Sequence, residues 1–118
     1  MINKRIPEWA KKSIAYQIFP DRFHHAEGKT DRKHVTIEWD EKPTHFSFMG
    51  GNLDGIAEKM DYISDLGVNL IWLNPILEAP SNHKYDTEDY VNVSRHFGGN
   101  ESLKRLVKEA HRKNIRVI

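Results

Sequence analysis

One short apolar segment constrains the fold more than any other part of the sequence. Residues Val68 to Leu73 read Val-Asn-Leu-Ile-Trp-Leu and are closed by Asn74 and Pro75. A nearly unbroken apolar run of this length is typical of a parallel strand buried beneath helices. The segment therefore predicts an α/β protein with a parallel sheet.

The region before this strand contains a strand pattern followed by a helix pattern. Ser13 to Phe19 is rich in aromatic and β-branched residues and stops at Pro20, which predicts a first strand. From Leu53 to Leu66 the apolar residues recur at helical spacing, and Gly67 is placed to end the helix.

The region after the apolar segment repeats this order. Asn100 is expected to cap a helix whose apolar stripe includes Leu103 and Leu106. Ile115 to Ile118 then predicts a third strand. The longer stretches 24–44 and 76–99 lack a sustained period and are predicted to be loops. Loops longer than about 12 to 15 residues are usually functional or disordered.

The order strand, helix, strand, helix, strand predicts parallel strands joined by helical crossovers. Two arrangements share this order: half of an open doubly wound sheet, and the first three strands of an eight-stranded barrel of about 250 residues. Periodicity does not distinguish them. In both, ligands bind at the carboxyl ends of the strands.

Composition limits the function classes. The 118 residues suit one domain, 1–118, and the net charge of +1 argues against a nucleic-acid partner. The chain has no cysteine, so it has neither a disulfide nor a thiol nucleophile. The polar start, Met1 to Lys12, lacks an apolar leader, and no run approaches the roughly 20 apolar residues of a membrane span. We therefore expect a cytoplasmic protein without a membrane partner.

The stretch Ser81 to Tyr90 concentrates the candidate functional groups. It reads Ser-Asn-His-Lys-Tyr-Asp-Thr-Glu-Asp-Tyr, and aromatic rings beside hydrogen-bonding groups suit a sugar. In the alternative interpretation, Asn82, Asp86, Thr87 and Asp89 only tie the backbone of their own loop together. Trp72, inside an apolar run, is expected in the core.

Four ordered stretches carry a family resemblance: Ala15 to Phe23, Phe48 to Ile56, Leu66 to Pro75, and Ser81 to Tyr90. Together they resemble glycoside hydrolase family 13, the α-amylase family, and in particular its cyclomaltodextrinase, neopullulanase and maltogenic amylase branch. The resemblance implies that the chain is the N-terminal βαβαβ part of a TIM (β/α)8 barrel.

The resemblance also implies an activity. Family members cleave α-glucosidic bonds in maltodextrins, cyclodextrins and starch-type substrates by a retaining mechanism, which uses two carboxyl groups about 5 to 5.5 Å apart. In the family these groups follow strands four and five, and a third follows strand seven. We therefore expect no catalytic residue in these 118 residues and no activity of the segment alone. A homodimer of the full-length enzyme fits this branch.

The resemblance assigns substrate-binding roles to four residues. Tyr85 matches the tyrosine that stacks beneath the glucose ring at subsite −1, and Asn82 and His83 line the same subsite. Asp86 matches the pattern and is expected to hold the loop as well. A competing interpretation makes Asp86 and Asp89 an acid/base pair.

Calcium is the metal that this branch often binds after the first strand. Here that loop is rich in histidine and cationic residues, and Asn52 stands where aspartate is usual, which suits calcium poorly. We expect no metal and no cofactor, with His24, His25 and His34 solvated. Two other functions stay open: a carbohydrate-binding module without cleavage, and a doubly wound nucleotide-binding domain with phosphate contacts near Gly50 and Gly51.

Overall fold

The computed structural model describes residues 5–118, so the first four residues of the predicted polar start, Met1 to Lys12, lie outside the described residues. Helices and strands alternate as the sequence predicts, with additional short elements. The helices are α1 (Glu8–Lys11), α2 (Leu53–Glu58), α3 (Met60–Asp65) and α4 (Gly99–Arg112). The strands are β1 (Ala15–Ile18), β2 (Leu70–Leu73), β3 (Leu77–Glu78), β4 (Asp89–Val93) and β5 (Arg116–Val117), and 3-10 turns occur at Pro20–Arg22 and Arg95–Phe97.

Strands β1, β2 and β5 form one parallel sheet in that order. Ala15 lies opposite Leu70, and Leu70 lies opposite Arg116 in the next strand. Each strand is thus the neighbour of the next parallel strand along the chain, as in the first turns of a barrel. The α/β class and the three predicted parallel strands are confirmed.

The helices bury one face of this sheet. Their apolar stripes meet strand residues in a single cluster that includes Ile18, Ile56, Ile71, Phe97 and Leu106. The spacing that predicted the helices is therefore the spacing that fills the core.

An ion pair between a buried carboxylate and a half-exposed guanidinium joins α2 to α4. The carboxylate of Asp54, 5% exposed, accepts hydrogen bonds from Nε of Arg105 at 2.7 Å and from Oγ of Ser102 at 2.5 Å. Burial alone would raise the pKa of Asp54, but these hydrogen bonds outweigh it and hold the pKa below its usual range.

The predicted helix over 53–66 is two helices. Its stripe continues through Met60 and Ile63, which are buried, but Lys59 has ψ +14° and interrupts the helix between them. The continuous stripe conceals this break because both short helices face the same core.

The prediction of one irregular loop over 76–99 is wrong, because β3 and β4 pair there in an antiparallel hairpin. Two residues of β3 are too few to show a period. The expected cap at Asn100 is also wrong: the helix begins at Gly99 after Gly98, whose φ of +99° suits glycine. Asn100 Oδ1 instead accepts a hydrogen bond from Val93 N at 2.8 Å.

Trp72 is 52% exposed, so its predicted place in the core is wrong. Its neighbours Ile71 and Leu73 point toward the helices and are buried. Trp72 points to the other face of the sheet, opposite the exposed Gln17. An apolar run shows that a strand is apolar on both faces but not whether both faces are covered.

Within residues 5–118, no helix combines the length and the apolar character needed to cross a membrane.

Candidate functional site

A cavity of about 890 Å³ lies beyond the carboxyl end of β1. Its lining comes from three segments, 19–22, 43–48 and 80–86. Three of the four predicted substrate-binding residues, Asn82, His83 and Asp86, are part of this lining. The fourth, Tyr85, lies beside it, with its ring centroid 5.8 Å from that of His83.

His83 and Tyr85 present their side chains to solvent. Tyr85 is 67% exposed, and its backbone N–H donates to Nδ1 of His83 at 3.1 Å. Because Nδ1 accepts this bond, the neutral imidazole carries its proton on Nε2. The pair therefore offers an open aromatic face and an N–H donor side by side.

Asn82 is buried, and its side-chain amide forms hydrogen bonds with the backbone of another segment. Nδ2 donates to the carbonyl oxygens of His45 at 2.9 Å and Ser47 at 2.8 Å. Both amide hydrogens are therefore used to fasten segment 43–48 to the loop that carries His83. Asn82 therefore fastens a different segment rather than the backbone of its own loop, and only Oδ1 is left for another partner.

The carboxyl groups of Asp86 and Asp89 are both held in the ionised form. The Ser81 hydroxyl donates to Asp86 and lowers the pKa of that carboxyl. The side chain of Asn92 and the backbone N–H groups of Val91 and Asn92 lower the pKa of Asp89. A general acid needs a raised pKa, so this geometry argues against an acid/base pair.

Arg22 also lines the cavity, and its neighbour Asp21 supports the backbone behind it, although neither residue was assigned a role from sequence. Asp21, 1% exposed, accepts hydrogen bonds from the N–H groups of Met49 and Gly50, both at 3.1 Å. Arg22 donates to the carbonyl oxygens of Thr44 and Ser47. Charged residues directly after a predicted strand and its Pro20 were the available signal.

The glycines considered for phosphate binding are buried and pack against this turn. A Cβ on Gly51 would lie 2.0 Å from the carbonyl oxygen of Pro20. Gly50 has φ +85°, and its N–H is bound by Asp21. The pair therefore allows two backbones to approach closely, which does not support the nucleotide-binding alternative.

The loop in which calcium was considered is closed by Asn52. This fully buried residue caps α2: Oδ1 accepts from Gly55 N at 2.7 Å and Ala26 N at 3.1 Å. Nδ2 donates to Ala26 O at 3.3 Å and Thr30 Oγ1 at 3.2 Å. These hydrogen bonds use both lone pairs of Oδ1 and both hydrogens of Nδ2.

The histidines of this loop were expected in solvent, and for His25 this is wrong. His25 is 7% exposed, and its Nδ1 lies 2.7 Å from the carbonyl oxygen of Gly50, to which it donates. The oxygens of Gly50, Ala26 and Thr30 are thus already bound by N–H donors. No cluster of three or more metal-binding side chains occurs among residues 5–118. Calcium prefers clustered oxygen ligands, and its absence from this loop stays a prediction.

Lys84, between His83 and Tyr85, is the largest fully buried side chain of the described chain. Its Nζ donates to Ala79 O at 2.7 Å and lies 3.0 Å from Nδ1 of His96. His96 stacks on His34 with centroids 4.0 Å apart, so His34 is also partly buried rather than solvated. The burial of Lys84 with His96 and His34 could not be predicted from sequence, because a lysine in a polar loop normally points to water.

Comparison with known proteins gives a consistent result. The family model of the alpha-amylase catalytic domain matches residues 17–118. The chain is 49% identical over 112 residues to a cyclomaltodextrinase of Geobacillus thermopakistaniensis (strain MAS1), covering 95% of this chain and 19% of that protein. It is 46% identical over 113 residues to an intracellular maltogenic amylase of Bacillus subtilis (strain 168), with the same coverage.

Solved structures agree with the sequence matches. A cyclic alpha-maltosyl-(1→6)-maltose hydrolase from Arthrobacter globiformis, in complex with its cyclic sugar, superposes with a TM-score of 0.89 at 38% identity. The superposition covers 95% of this chain and 25% of that one. These matches confirm the predicted fold class, the leading strands of a (β/α)8 barrel. The chain spans about a fifth of the length of the curated relatives it matches.

Proposed function

We propose, since the chain belongs to the alpha-amylase family, that it supplies substrate-binding residues to a glycosidase that hydrolyses α-glucosidic bonds in maltodextrins, cyclodextrins or starch-type substrates. One observation carries this proposal. The exposed ring of Tyr85 stands beside His83 at the edge of the large cavity beyond the carboxyl end of β1. This end of the sheet is where barrel enzymes bind their substrates.

Each exposed group has a role suited to a glucose unit. The ring of Tyr85 provides an apolar surface for the face of a pyranose, and Nε2–H of His83 provides a donor for a hydroxyl oxygen. The ionised carboxylate of Asp86 accepts from a sugar hydroxyl or stays bound to Ser81. Asn82 has an indirect role, because its hydrogen bonds fix segment 43–48 as a wall of the cavity.

None of the catalytic carboxylates is assigned to this chain. A retaining mechanism needs two carboxyl groups about 5 to 5.5 Å apart, and the pKa values of Asp86 and Asp89 are both lowered. We place the nucleophile and the acid/base in the remainder of the enzyme, and the segment by itself is inactive in this proposal. A location inside the cell is supported by the similarity to an intracellular maltogenic amylase.

The test compares two exposed tyrosines in the enzyme that contains this chain. Replacing Tyr85 with Ala removes an aromatic contact of about 1.5 to 3 kcal/mol, so kcat/KM for maltodextrins falls by about 10-fold or more. Tyr85→Phe retains most of the activity. Tyr90→Ala is the matched control, because Tyr90 is 79% exposed but lies on β4, outside the lining segment 80–86 that contains Tyr85. Unchanged hydrolysis by Tyr85→Ala would refute the assignment.

A further inference from the structure

The loop that carries His83 and Tyr85 contains a residue with an unusual conformation. Lys84 has φ +62°, a left-handed backbone that residues with a Cβ rarely adopt. Its side chain is fully buried, whereas the side chains on either side of it are exposed. The turn therefore reverses direction at Lys84, sending one side chain inward and presenting two outward.

The buried ammonium group is held by uncharged partners. It donates to Ala79 O at 2.7 Å and to Nδ1 of His96 at 3.0 Å, and it lies 5.5 Å from the ring centroid of Phe97. Since an ammonium group has only donors, Nδ1 of His96 must accept, and His96 must be neutral. Among residues 5–118, no carboxylate forms an ion pair with Lys84.

These partners come from the start of the hairpin loop and from the turn that follows the second strand of the hairpin. Ala79 directly follows β3, and His96 lies in the 3-10 turn that follows β4. One nitrogen atom thus joins the start of the loop to the element beyond its end. The left-handed turn at Lys84 is unfavourable for a residue with a Cβ, so it persists only if contacts of the side chain offset that cost.

We propose that Lys84 is a positioning residue, which holds the turn so that His83 and Tyr85 face the substrate, with neutral His96 as its hydrogen-bond acceptor. This inference rests on the proposed function, because it assumes that His83 and Tyr85 bind sugar. Burial lowers the pKa of Lys84; of the charged groups that face it, Glu78, Asp21 and Asp86 favour the lysine cation, whereas Arg95 disfavours it. His34 faces His96 from the other side.

The first experiment measures whether the hydrogen bonds of Lys84 hold the turn in place. Lys84→Met keeps the length and apolar volume of the side chain but removes the donor. Hydrogen exchange of the backbone amides in 81–90 is expected to accelerate at least 10-fold, while exchange in α4 stays within two-fold of the parent. Lys12→Met, at an exposed lysine, is the matched control and leaves both regions unchanged. His96→Leu removes the acceptor, together with the ring that stacks on His34, and it must loosen the same segment even if Lys84→Met does not fold.

The second experiment tests whether Lys84 affects catalysis by positioning Tyr85. In the complete enzyme, Lys84→Met is expected to lower kcat/KM for maltodextrins about 10-fold. In a Tyr85→Ala background the same change is expected to cost about three-fold at most, because only His83 is left to be positioned. A general loss of structure would cost the same in both backgrounds.

The outcomes are distinguishable. Unchanged exchange in 81–90 for both variants overturns the positioning role. Faster exchange combined with equal kinetic losses in both backgrounds also overturns it. An enzyme that does not hydrolyse maltodextrins refutes the proposed function, and the exchange measurement then decides whether Lys84 holds the turn.

Discussion

Acidification should destabilise the protein through His96. Burial, followed by the nearby Lys84 and His34, lowers the pKa of His96 to about 4, against an ordinary value of 6.5. The folded protein therefore holds His96 neutral, whereas the unfolded chain takes up a proton as the pH falls below 6.5. Protonation would place a second cation against the Lys84 ammonium and remove its acceptor.

The sign and size of the effect follow from this difference. Because the unfolded state binds more protons between pH 6.5 and 4, the contribution of neutral His96 to the free energy of unfolding is fully present above pH 6.5. This contribution is lost as the pH falls toward 4. Each pKa unit corresponds to about 1.4 kcal/mol. Allowing for solvent screening of this partly exposed ring, we expect a loss of about 2 kcal/mol between pH 7 and 4.5.

Urea denaturation at a series of pH values measures this loss, and His96→Asn isolates it. The Asn side chain can place an oxygen near Nδ1 and accept from Lys84, but it does not titrate. The carboxylates titrate alike in both proteins, so the difference between the two curves belongs to His96. Parallel curves from pH 7 to 4.5 would refute the reasoning, because they would show that His96 has the same pKa folded and unfolded.

Three further predictions concern the scaffold. Asp54→Asn should lower the free energy of unfolding by about 2 kcal/mol in urea denaturation, since it weakens the charge-assisted bonds from Arg105; an unchanged midpoint would contradict a stabilising role for the pair. EDTA and millimolar calcium should leave the melting temperature of the parent unchanged, whereas Asn52→Asp, which loses the two amide donors, should lower it. Gly51→Ala should cost at least about 3 kcal/mol, since its methyl would lie 2.0 Å from a backbone oxygen. By the same thermal assay Gly28→Ala should cost less, because its methyl meets no atom within 4 Å and only the left-handed backbone at φ +70° is unfavourable, by about 1 to 2 kcal/mol.

The parallel sheet was accessible from sequence because its signals are local. Strand β2 is marked by its own apolar run, and α4 by the stripe at Leu106 and Ala110. The hairpin of β3 and β4 was missed because its pairing depends on residues more than ten positions apart. The break at Lys59 was missed because both helices bury the same stripe.

The site divides in the same way. Tyr85, His83 and Asp86 could be selected from the residue types in one loop, together with the family resemblance. Their partners could not, because Asn82 binds the carbonyl oxygens of His45 and Ser47, 37 and 35 residues away. Residue type also misled at Lys84 and His25, since only tertiary structure supplies the carbonyl and imidazole partners that allow such groups to be buried.

The half-exposed Trp72 gives this protein a built-in optical reporter. An indole in contact with water emits at longer wavelength than one enclosed by apolar groups, and Trp72 lies on the sheet face opposite the helices, beside Gln17. The other two tryptophans, Trp9 and Trp39, lie outside the sheet. Any polypeptide that packs onto this face would therefore shift the emission of one identifiable residue to the blue, which gives a direct spectroscopic signal for closure of a barrel around these strands.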